Sequence, residues 1–485
     1  MDTPLGQVGT ERSSRTFIVL VVASFLGTQI LSYLDAGFIL YWITVLGAAF
    51  YVFRRPGEGI WLTFFALAIT SLLYPISMSE LGEPGVGEFR PYNFAIVSIG
   101  GAMVFNLWLG RRRLPLKPSR SQSGTLKLVL ALAGVFCLAT ICGDLSPMKA
   151  EALYVLQQSS AWISFFLFLW IGYKLALSPV EIEQSLERFH SAVLIYSLVF
   201  LGRFAYLNYH DGLSAATEFA WAERMALFFA ACSLVLIFAR RLAPEGRSLT
   251  KSDWLSSLIV LPAIVLSGSR GLTGAAFLAI FVLVASWRTR SLLRLSPILL
   301  VALLAVAVVL RSHSQLVEEY VVSKFLITPD QDPSFGGRVA EMEAVIEALQ
   351  RNPVLGSGTL ASYMFFDPLF GWRESAFVDN GVGYLLLKTG LLGTGLFVLL
   401  VLSYLKVLRQ LRQSVAAAAL IPMVVFVFYL AFLVFGSAFF DPRYSWLVGI
   451  LCGYSLYLNK IYSQKTSLWA TEIGANGNRS CRSHA

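Results

Sequence analysis

The sequence predicts an all-α fold, a polytopic bundle of about 14 transmembrane helices (12 at the fewest) with one large loop outside the membrane. Hydrophobic residues make up 56% of the 485 residues and charged residues only 14%, whereas a soluble domain carries about 25% charged residues. The apolar residues fall in blocks long enough to cross a bilayer, about 20 residues each. Basic residues cluster in short segments between these blocks, as is typical of cytoplasmic loops.

Each apolar block is expected to be a helix, because backbone N–H and C=O groups in lipid must bond within their own segment. In chain order the blocks span 16–34, 36–53, 58–78, 92–110, 126–143, 151–173, 190–208, 221–239, 253–268, 271–287, 295–310, 380–405, 415–437 and 444–459. The first block lacks a clear small-x-small cleavage site and the next follows almost at once. It is therefore interpreted as a retained helix rather than a signal peptide.

Alternation from a cytoplasmic N-terminus places every dense basic cluster on the cytoplasmic side. The opposite orientation would put all of these clusters outside. The sequence therefore predicts three parts: a cytoplasmic segment at 1–15, a transmembrane domain at 16–459, and a polar, disordered cytoplasmic tail at 460–485. The large loop, at about 311–379, then lies on the outer side.

The large loop carries the pattern of an amphipathic helix from Arg338 to Arg351. The apolar residues that form one stripe are Val339, Met342, Val345, Ile346 and Leu349. The acidic residues expected to face away from it are Glu341, Glu343 and Glu347. Such a helix caps the helix bundle or lies in the membrane interface.

Three arginines lie at the outer ends of predicted helices, where ionisable residues mark candidate sites. Arg224 opens one helix, Arg270 lies in the turn Ser267-Gly268-Ser269-Arg270-Gly271, and Arg338 opens the loop helix. A guanidinium matches phosphate oxygens through its planar fork and stays charged. A helix start also offers backbone N–H groups to an anion. The set favours an anion site over the alternative, interfacial snorkelling toward lipid headgroups.

The acidic residue of most interest is Asp379, at the junction of the large loop and the next helix. Its carboxylate is a candidate general base facing the same outer surface as the arginines. The alternative is an N-cap of the following helix. Three other acidic residues share the outer surface and compete for the role of base: Asp367, Glu374 and Asp441. Lys388, some two turns inside the helix, is expected to snorkel or to bond a carbonyl.

Several function classes are disfavoured by the sequence. The net charge of +9 is distributed over loop clusters, as expected of a membrane protein rather than a nucleic-acid-binding one. The four histidines are scattered, and no spacing of His, Cys and Asp resembles a metal site. No disulfide framework is expected. The cysteines in apolar blocks are Cys137, Cys142, Cys232 and Cys452, with Cys481 in the tail.

From Arg224 to the last apolar block, the order of motifs resembles the O-antigen ligase and Wzy-type polysaccharide polymerase superfamily. The turn around Arg270 is one motif, and the helix opened by Arg338 ends in Arg351-Asn352-Pro353-Val354-Leu355-Gly356-Ser357-Gly358. Asp379-Asn380 is followed, after nine residues, by Gly390-Leu391-Leu392-Gly393. The ligase motif of the family is His-Asn, nine residues, then Gly-x-x-Gly, so here an Asp replaces the His.

The resemblance implies a GT-C-like glycosyltransferase of the bacterial inner membrane that acts at the periplasmic face without a metal or cofactor. Its donor would be a glycan linked to undecaprenyl pyrophosphate, with Arg224, Arg270 and Arg338 on the pyrophosphate. Arg270 and Asp379 would be the catalytic residues, with Asp379 activating the acceptor hydroxyl. The supporting residues are expected to be Ser269, Glu374 and Asn380. Besides membrane lipid, the expected partners are a flippase and a chain-length regulator, and no nucleic acid.

Three functions remain open at this point. The first is a polymerase that joins lipid-linked repeat units in surface polysaccharide synthesis, and the second is a ligase that transfers the glycan to lipid A–core. The replacement of the motif His by Asp379 distinguishes this chain from the ligases. The third is a lipid-linked glycan flippase or transporter. Transporters tend to show inverted repeats and charges at the midplane, whereas here the candidate charges gather at one face and no repeat is apparent, which favours an enzyme.

Overall fold

A computed structural model of the chain describes its helices, one β-hairpin and their connections. The described residues are 37–73, 91–110, 120–142, 152–242, 251–286, 333–368, 371–375, 378–436 and 438–482. The predicted apolar blocks 16–34 and 295–310 lie outside these residues, as do the N-terminal segment 1–15 and the first part of the large loop.

Long α-helices dominate the described residues, and every predicted apolar block within them coincides with a helix. In chain order they are α1 (Gly37–Arg54), α2 (Gly59–Leu73), α3 (Pro91–Trp108), α4 (Arg120–Cys142), α5 (Ala152–Lys174), α6 (Pro179–His210), α7 (Gly212–Ala222), α8 (Arg224–Leu242), α9 (Lys251–Leu266), α10 (Arg270–Ser286), α11 (Pro333–Arg351), α12 (Gly381–Ser414), α13 (Ala416–Phe432) and α14 (Pro442–Arg482). The fold is therefore helical, as predicted.

Three described helices are long and apolar enough to cross a membrane by length and composition: Gly124–Cys142, Pro179–His210 and Gly381–Ser414. A fourth span results if α7 and α8, which meet at an angle of 66°, are counted as one broken crossing. Six other apolar helices have 10–17 described residues. The apolar helices make the chain a membrane protein, and the total of about 14 spans stays a prediction.

Aromatic side chains fill the core beneath the outer ends of α8, α13 and α14. The ring centroid of Phe228 lies 4.4 Å from that of Tyr444 and 4.9 Å from that of Phe432. Tyr384, near the start of α12, stacks on Phe440 at 5.6 Å. These contacts set the starts of α8, α12 and α14 around one packed centre.

Helix α12 is broken at Gly390, and residues 352–361, here called the wedge segment, fill the break. Gly390 has φ +62° and ψ −160°, a conformation almost confined to glycine. The backbone groups freed by the break bond to the wedge segment instead. Leu391 N donates to Pro353 O at 2.9 Å, and Ser357 N donates to Leu387 O at 2.8 Å. The wedge segment thus replaces the hydrogen bonds that a continuous α12 would make itself.

The buried side chain of Lys388 binds two backbone carbonyls of the wedge segment. Its Nζ donates to Thr359 O at 2.9 Å and to Ala361 O at 2.7 Å. Thr359 N in turn donates to Ala139 O near the end of α4 at 3.2 Å. Lys388 therefore bonds carbonyls, one of its two predicted roles, and it does not snorkel.

The large loop contains the predicted helix, α11, and a hairpin that the sequence did not predict. Beyond α11 it forms an antiparallel hairpin of β1 (Tyr363–Asp367) and β2 (Gly371–Ser375). Thr359, Leu360 and Ala361 are buried, where Lys388 Nζ donates to the carbonyls of Thr359 and Ala361 and Thr359 N donates to Ala139 O. The part of the loop that precedes residue 333 lies outside the described residues.

Two further segments are helical where the sequence predicted otherwise. The segment predicted as an outer loop at 209–220 contains α7, and α14 continues to Arg482 through the segment predicted to be disordered. The helical stretch beyond residue 460 contains no proline, so nothing in the sequence stops a helix that starts in the packed core from propagating.

Candidate active site at the start of α12

Asn380, not Asp379, caps α12. The side-chain Oδ1 of Asn380 accepts hydrogen bonds from Val382 N at 2.8 Å and Gly383 N at 3.1 Å. Its Nδ2 donates to Val434 O at 2.9 Å. The N-cap alternative for Asp379 is therefore wrong, because the neighbouring amide makes both the cap and the link to α13. The side chain of Asp379 is left exposed beside the cap.

A tight turn at residues 433–436 joins the start of α12 to the start of α10. Gly381 N donates to Leu433 O at 3.0 Å. On the other side of the turn, a Cβ at Gly271 would lie 2.9 Å from the Cβ of Phe435. Arg270, which is half-buried, immediately precedes Gly271. The structure thus places Arg270 and Asp379 on two helix starts that pack against the same turn.

The predicted supporting residue Ser269 is the N-terminal cap of α10. Its Oγ accepts from Leu272 N at 3.3 Å, and its own N–H donates to Ser267 Oγ at 3.2 Å. Thr273 N donates to Ser269 O at 3.1 Å. The hydroxyl therefore satisfies the helix start, and its role here is to hold Arg270 in place.

Arg224, at the start of α8, lies within electrostatic range of Asp379. Desolvation of its guanidinium disfavours the charged form most, Arg443 also opposes it, and the negative charges of Asp379 and Asp441 favour it. Arg224 is separated from Asp379 by 155 positions in the sequence, so only the fold brings this cation and carboxylate together. That this surface faces outward stays a prediction.

Asp441 and Arg443 form an ion pair at the start of α14. Arg443 Nε donates to both carboxylate oxygens of Asp441 at 2.9 Å, and Arg443 N donates to Oδ1 at 2.9 Å. Asp441 is only 3% exposed. Its carboxylate is occupied by this pairing, which disfavours it as the general base. The sequence analysis did not identify Arg443. The presence of Asp441 two residues before it was the available sign of this ion pair.

The loop helix α11 buries a carboxylate that the sequence placed on its exposed face. Glu341 is 6% exposed, whereas Val339 and Ile346 are 43% and 47% exposed. The buried face contains Glu341 and Val345, because it packs against the hairpin. Tyr363 Oη donates to Glu341 Oε1, a partner 22 residues away that no local periodicity reveals.

Glu341 also connects α11 to Asp379. Asp379 N donates to Glu341 Oε1 at 3.3 Å. Burial, and secondly the negative charge of Asp379, raise the pKa of Glu341 to about 7 against the opposing effects of its hydrogen bonds and of Arg338. Arg338, exposed on the same helix, therefore belongs to this electrostatic neighbourhood.

The remaining competitors lie on the hairpin. Glu374 is exposed on β2 and accepts a hydrogen bond from Ser362 Oγ. Asp367 ends β1, with Oδ2 3.7 Å from the position of a Cβ at Gly337, next to Arg338. Neither is linked to the start of α12 as directly as Asp379, which remains the candidate base.

The candidate site thus combines an exposed carboxylate with cations from four helices, three of them at a helix start and Arg338 in the second turn of α11. Asp379 lies before α12, and the cations are Arg224, Arg270, Arg338 and Arg443. Within the described residues, no group of three or more His, Cys, Asp or Glu side chains is arranged to hold a metal ion. Positive charge fixed in this way suits a doubly charged phosphate ester near a group that accepts a proton.

The comparison with protein families identifies the same region. Residues 255–398 match the family model described as O-Antigen ligase, and no curated protein gives a match. The matched range contains Arg270, Arg338, Asp379 and Gly390, and leaves Arg224 outside. Family members are glycosyltransferase-like enzymes, ligases or polymerases. The predicted resemblance is confirmed: residues 255–398 of the chain are similar to the O-antigen ligase family.

Proposed function

We propose that the protein is a polymerase that joins undecaprenyl-pyrophosphate-linked oligosaccharide repeat units at the outer face of a bacterial inner membrane. Both termini would lie in the cytoplasm, and a flippase and a chain-length regulator would act with it. The observation that carries the proposal is the exposed carboxylate of Asp379, beside Arg224 and inside the matched family segment.

The arrangement suits transfer from a pyrophosphate donor. The acceptor hydroxyl gives its proton to Asp379 while its oxygen bonds to the anomeric carbon. The bond from that carbon to the pyrophosphate oxygen breaks, and the leaving group keeps the electron pair. Fixed guanidinium groups stabilise this growing negative charge without reorganising. Arg224, Arg270 and Arg338 are assigned to this role, with Arg270 nearest in packing to the turn that also holds the start of α12.

A ligase that transfers the finished glycan to lipid A–core is the second candidate. The matched family model is itself described as O-Antigen ligase, which favours this candidate. The motif position that carries His in the ligases is Asp379 here, which favours the polymerase. A flippase is the third candidate, and the concentration of charge at helix starts on one face disfavours it.

Glycan analysis of a cell in which the gene is deleted distinguishes the three candidates. A polymerase predicts single repeat units accumulating on the lipid carrier at the outer face. Full-length carrier-linked polymer that is never attached to lipid A would indicate a ligase instead. Repeat units that stay at the cytoplasmic face would indicate a flippase.

Complementation of the deletion strain tests the donor site. Arg270→Ala should give no polymer although the protein inserts normally, whereas Arg409→Ala, an exposed arginine near the opposite end of α12, should restore polymer. Long-chain polysaccharide of normal length from the Arg270→Ala strain would refute the assignment of Arg270.

A further inference from the structure

We propose that Glu341 is the positioning residue for Asp379, and that its charge makes the transfer rate depend on pH. Glu341 would not touch the reacting atoms. It would hold the backbone of the base and set the local charge. This inference rests on the proposed function, because it requires Asp379 to accept the proton of the acceptor.

One oxygen atom joins three separate segments. Glu341 Oε1 accepts the hydroxyl hydrogen of Tyr363 from β1 and the backbone N–H of Asp379 before α12. The amide it binds belongs to the residue directly before the cap Asn380. The cap fixes one side of Asp379 through α13, and Glu341 fixes the other through α11. Together these bonds hold the backbone from which the Asp379 side chain projects.

The presence of a carboxylate, rather than an amide, at buried position 341 requires an explanation. An amide could accept the same two hydrogen bonds, and burying a carboxylate is costly unless it is paired or protonated. Glu341 is 6% exposed and lies close enough to Asp379 for the two charges to interact. Unlike an amide, a carboxylate at this position can change its charge near neutral pH, and that charge acts on the neighbouring Asp379.

The charged and titratable groups around Glu341 are few in the described residues. Tyr363 and Asp367 come from β1, Arg338 from its own helix, and Asp379 from the segment before α12. Lys388 of α12 donates its hydrogen bonds to carbonyls of the wedge segment. Burial raises the pKa of Tyr363, which keeps this hydroxyl a donor to Glu341.

The sign of the pH effect follows from these contacts. Below about pH 7 Glu341 is mostly protonated and adds no charge beside Asp379. Above it, Glu341 gains a negative charge, which stabilises the positive charge that arrives with the acceptor proton. Asp379 then accepts this proton more readily. The transfer rate should therefore rise as the pH increases through about 7.

The test measures single-turnover transfer by the full-length protein in lipid nanodiscs. The donor is the lipid-linked repeat unit extracted from the deletion strain, and the pH is varied from about 6 to about 8. Glu341→Gln keeps both hydrogen-bond acceptors but not the charge, so its rate should be flat over this range. Glu341→Ala should slow transfer about 10-fold or more with little change in KM for the donor, and Glu341→Asp should restore part of the rate.

The matched control is Glu343→Gln, an exposed carboxylate two positions along the same helix, which should keep the wild-type profile. If Glu341→Gln keeps the rise near pH 7, the proposal is wrong, whether or not Glu341→Ala folds. Asp379→Asn in the same assay distinguishes a failure of the proposed base from a failure of the role of Glu341. If Asp379→Asn is active, Asp379 is not the base. If Asp379→Asn is inactive and Glu341→Gln shows the wild-type dependence on pH, only the role of Glu341 is refuted.

Discussion

The family motif has two ends separated by nine residues, Asp379-Asn380 and Gly390, and they differ in structure. Side chains make the contacts of the first end, whereas backbone groups make those of the second. The first end is polar: its side chains cap α12 and leave a carboxylate exposed beside Arg224. The second end is buried and consists of backbone contacts, in which Gly390 and Gly356 approach so closely that a Cβ on Gly390 would lie 2.4 Å from Gly356 N. The proposal assigns the chemistry to the first end, whereas the contacts of the second end fix the shape of α12.

The comparison gives the nine intervening residues a physical meaning. Residues 381–389 form a helical spacer about 14 Å long between the wedge segment and the exposed carboxylate. The wedge segment continues directly from α11, which carries Arg338 and Glu341. Locking it into α12 therefore sets the height of α11 relative to Asp379. A change at the buried end should act on folding, and a change at the polar end should act on transfer.

The largest expected effect on folding is at Gly390. Gly390→Ala places a Cβ against the wedge segment in a backbone conformation that costs non-glycine residues about 1–3 kcal/mol before any clash. The protein should fail to accumulate in membranes, as measured by fluorescence-detected gel filtration. Gly395→Ala, on the same helix with nothing within 4 Å of the new Cβ, should accumulate normally. Equal yields of the two variants would contradict the role of the break.

A smaller loss of stability is expected at Lys388. Lys388→Met fills a similar volume but leaves the buried carbonyls of Thr359 and Ala361 without the ammonium donor, at a cost of about 1–3 kcal/mol. The thermal midpoint of unfolding in detergent should fall, and any remaining folded protein should still bind donor. The exposed Lys406→Met is the control. An unchanged midpoint in Lys388→Met would show that the wedge segment does not depend on this contact.

The smallest effect on stability is expected at Asn380. Asn380→Ala removes the cap and should cost about 1 kcal/mol, whereas Asn380→Ser keeps a cap oxygen and should cost less. In Asn380→Ala the transfer rate per folded molecule should also fall, because the backbone beside Asp379 loses the hydrogen bond from Asn380 to Val434 O. If the transfer rate per folded molecule is unchanged in Asn380→Ala, the cap does not position the base.

The helices were predictable because a bilayer requires an apolar segment of sufficient length for every span, as α4, α6 and α12 show. The wedge segment was not predictable, because its bonds to Leu387 and Leu391 are made by backbone groups that carry no side-chain signal. Its traces in the sequence were the motif that contains Gly356, and Lys388, a cation two turns inside an apolar helix. Its partners could not be named without the fold.

Within the site, the sequence predicted where helices begin better than it predicted which face of a helix is buried. Arg224 and Arg270 stand where helices begin and Asp379 lies just before one, as predicted, whereas α11 begins at Pro333 and places Arg338 in its second turn. The assignment of the three arginines to the donor remains a proposal. The periodicity of α11 predicted an exposed Glu341 because it weighed hydrophobicity alone. Tyr363 offers that carboxylate a buried hydrogen bond, and such tertiary pairing overrides a local pattern.

The most direct test of the account is transfer by Asp379→Asn, measured in nanodiscs with donor binding and thermal stability recorded on the same preparation. The substitution keeps the size of the side chain and the Asn380 cap but removes the proton acceptor. The account predicts that transfer falls by about 100-fold or more, while donor binding and the unfolding midpoint stay close to those of the wild type. Transfer at the wild-type rate by Asp379→Asn would contradict it.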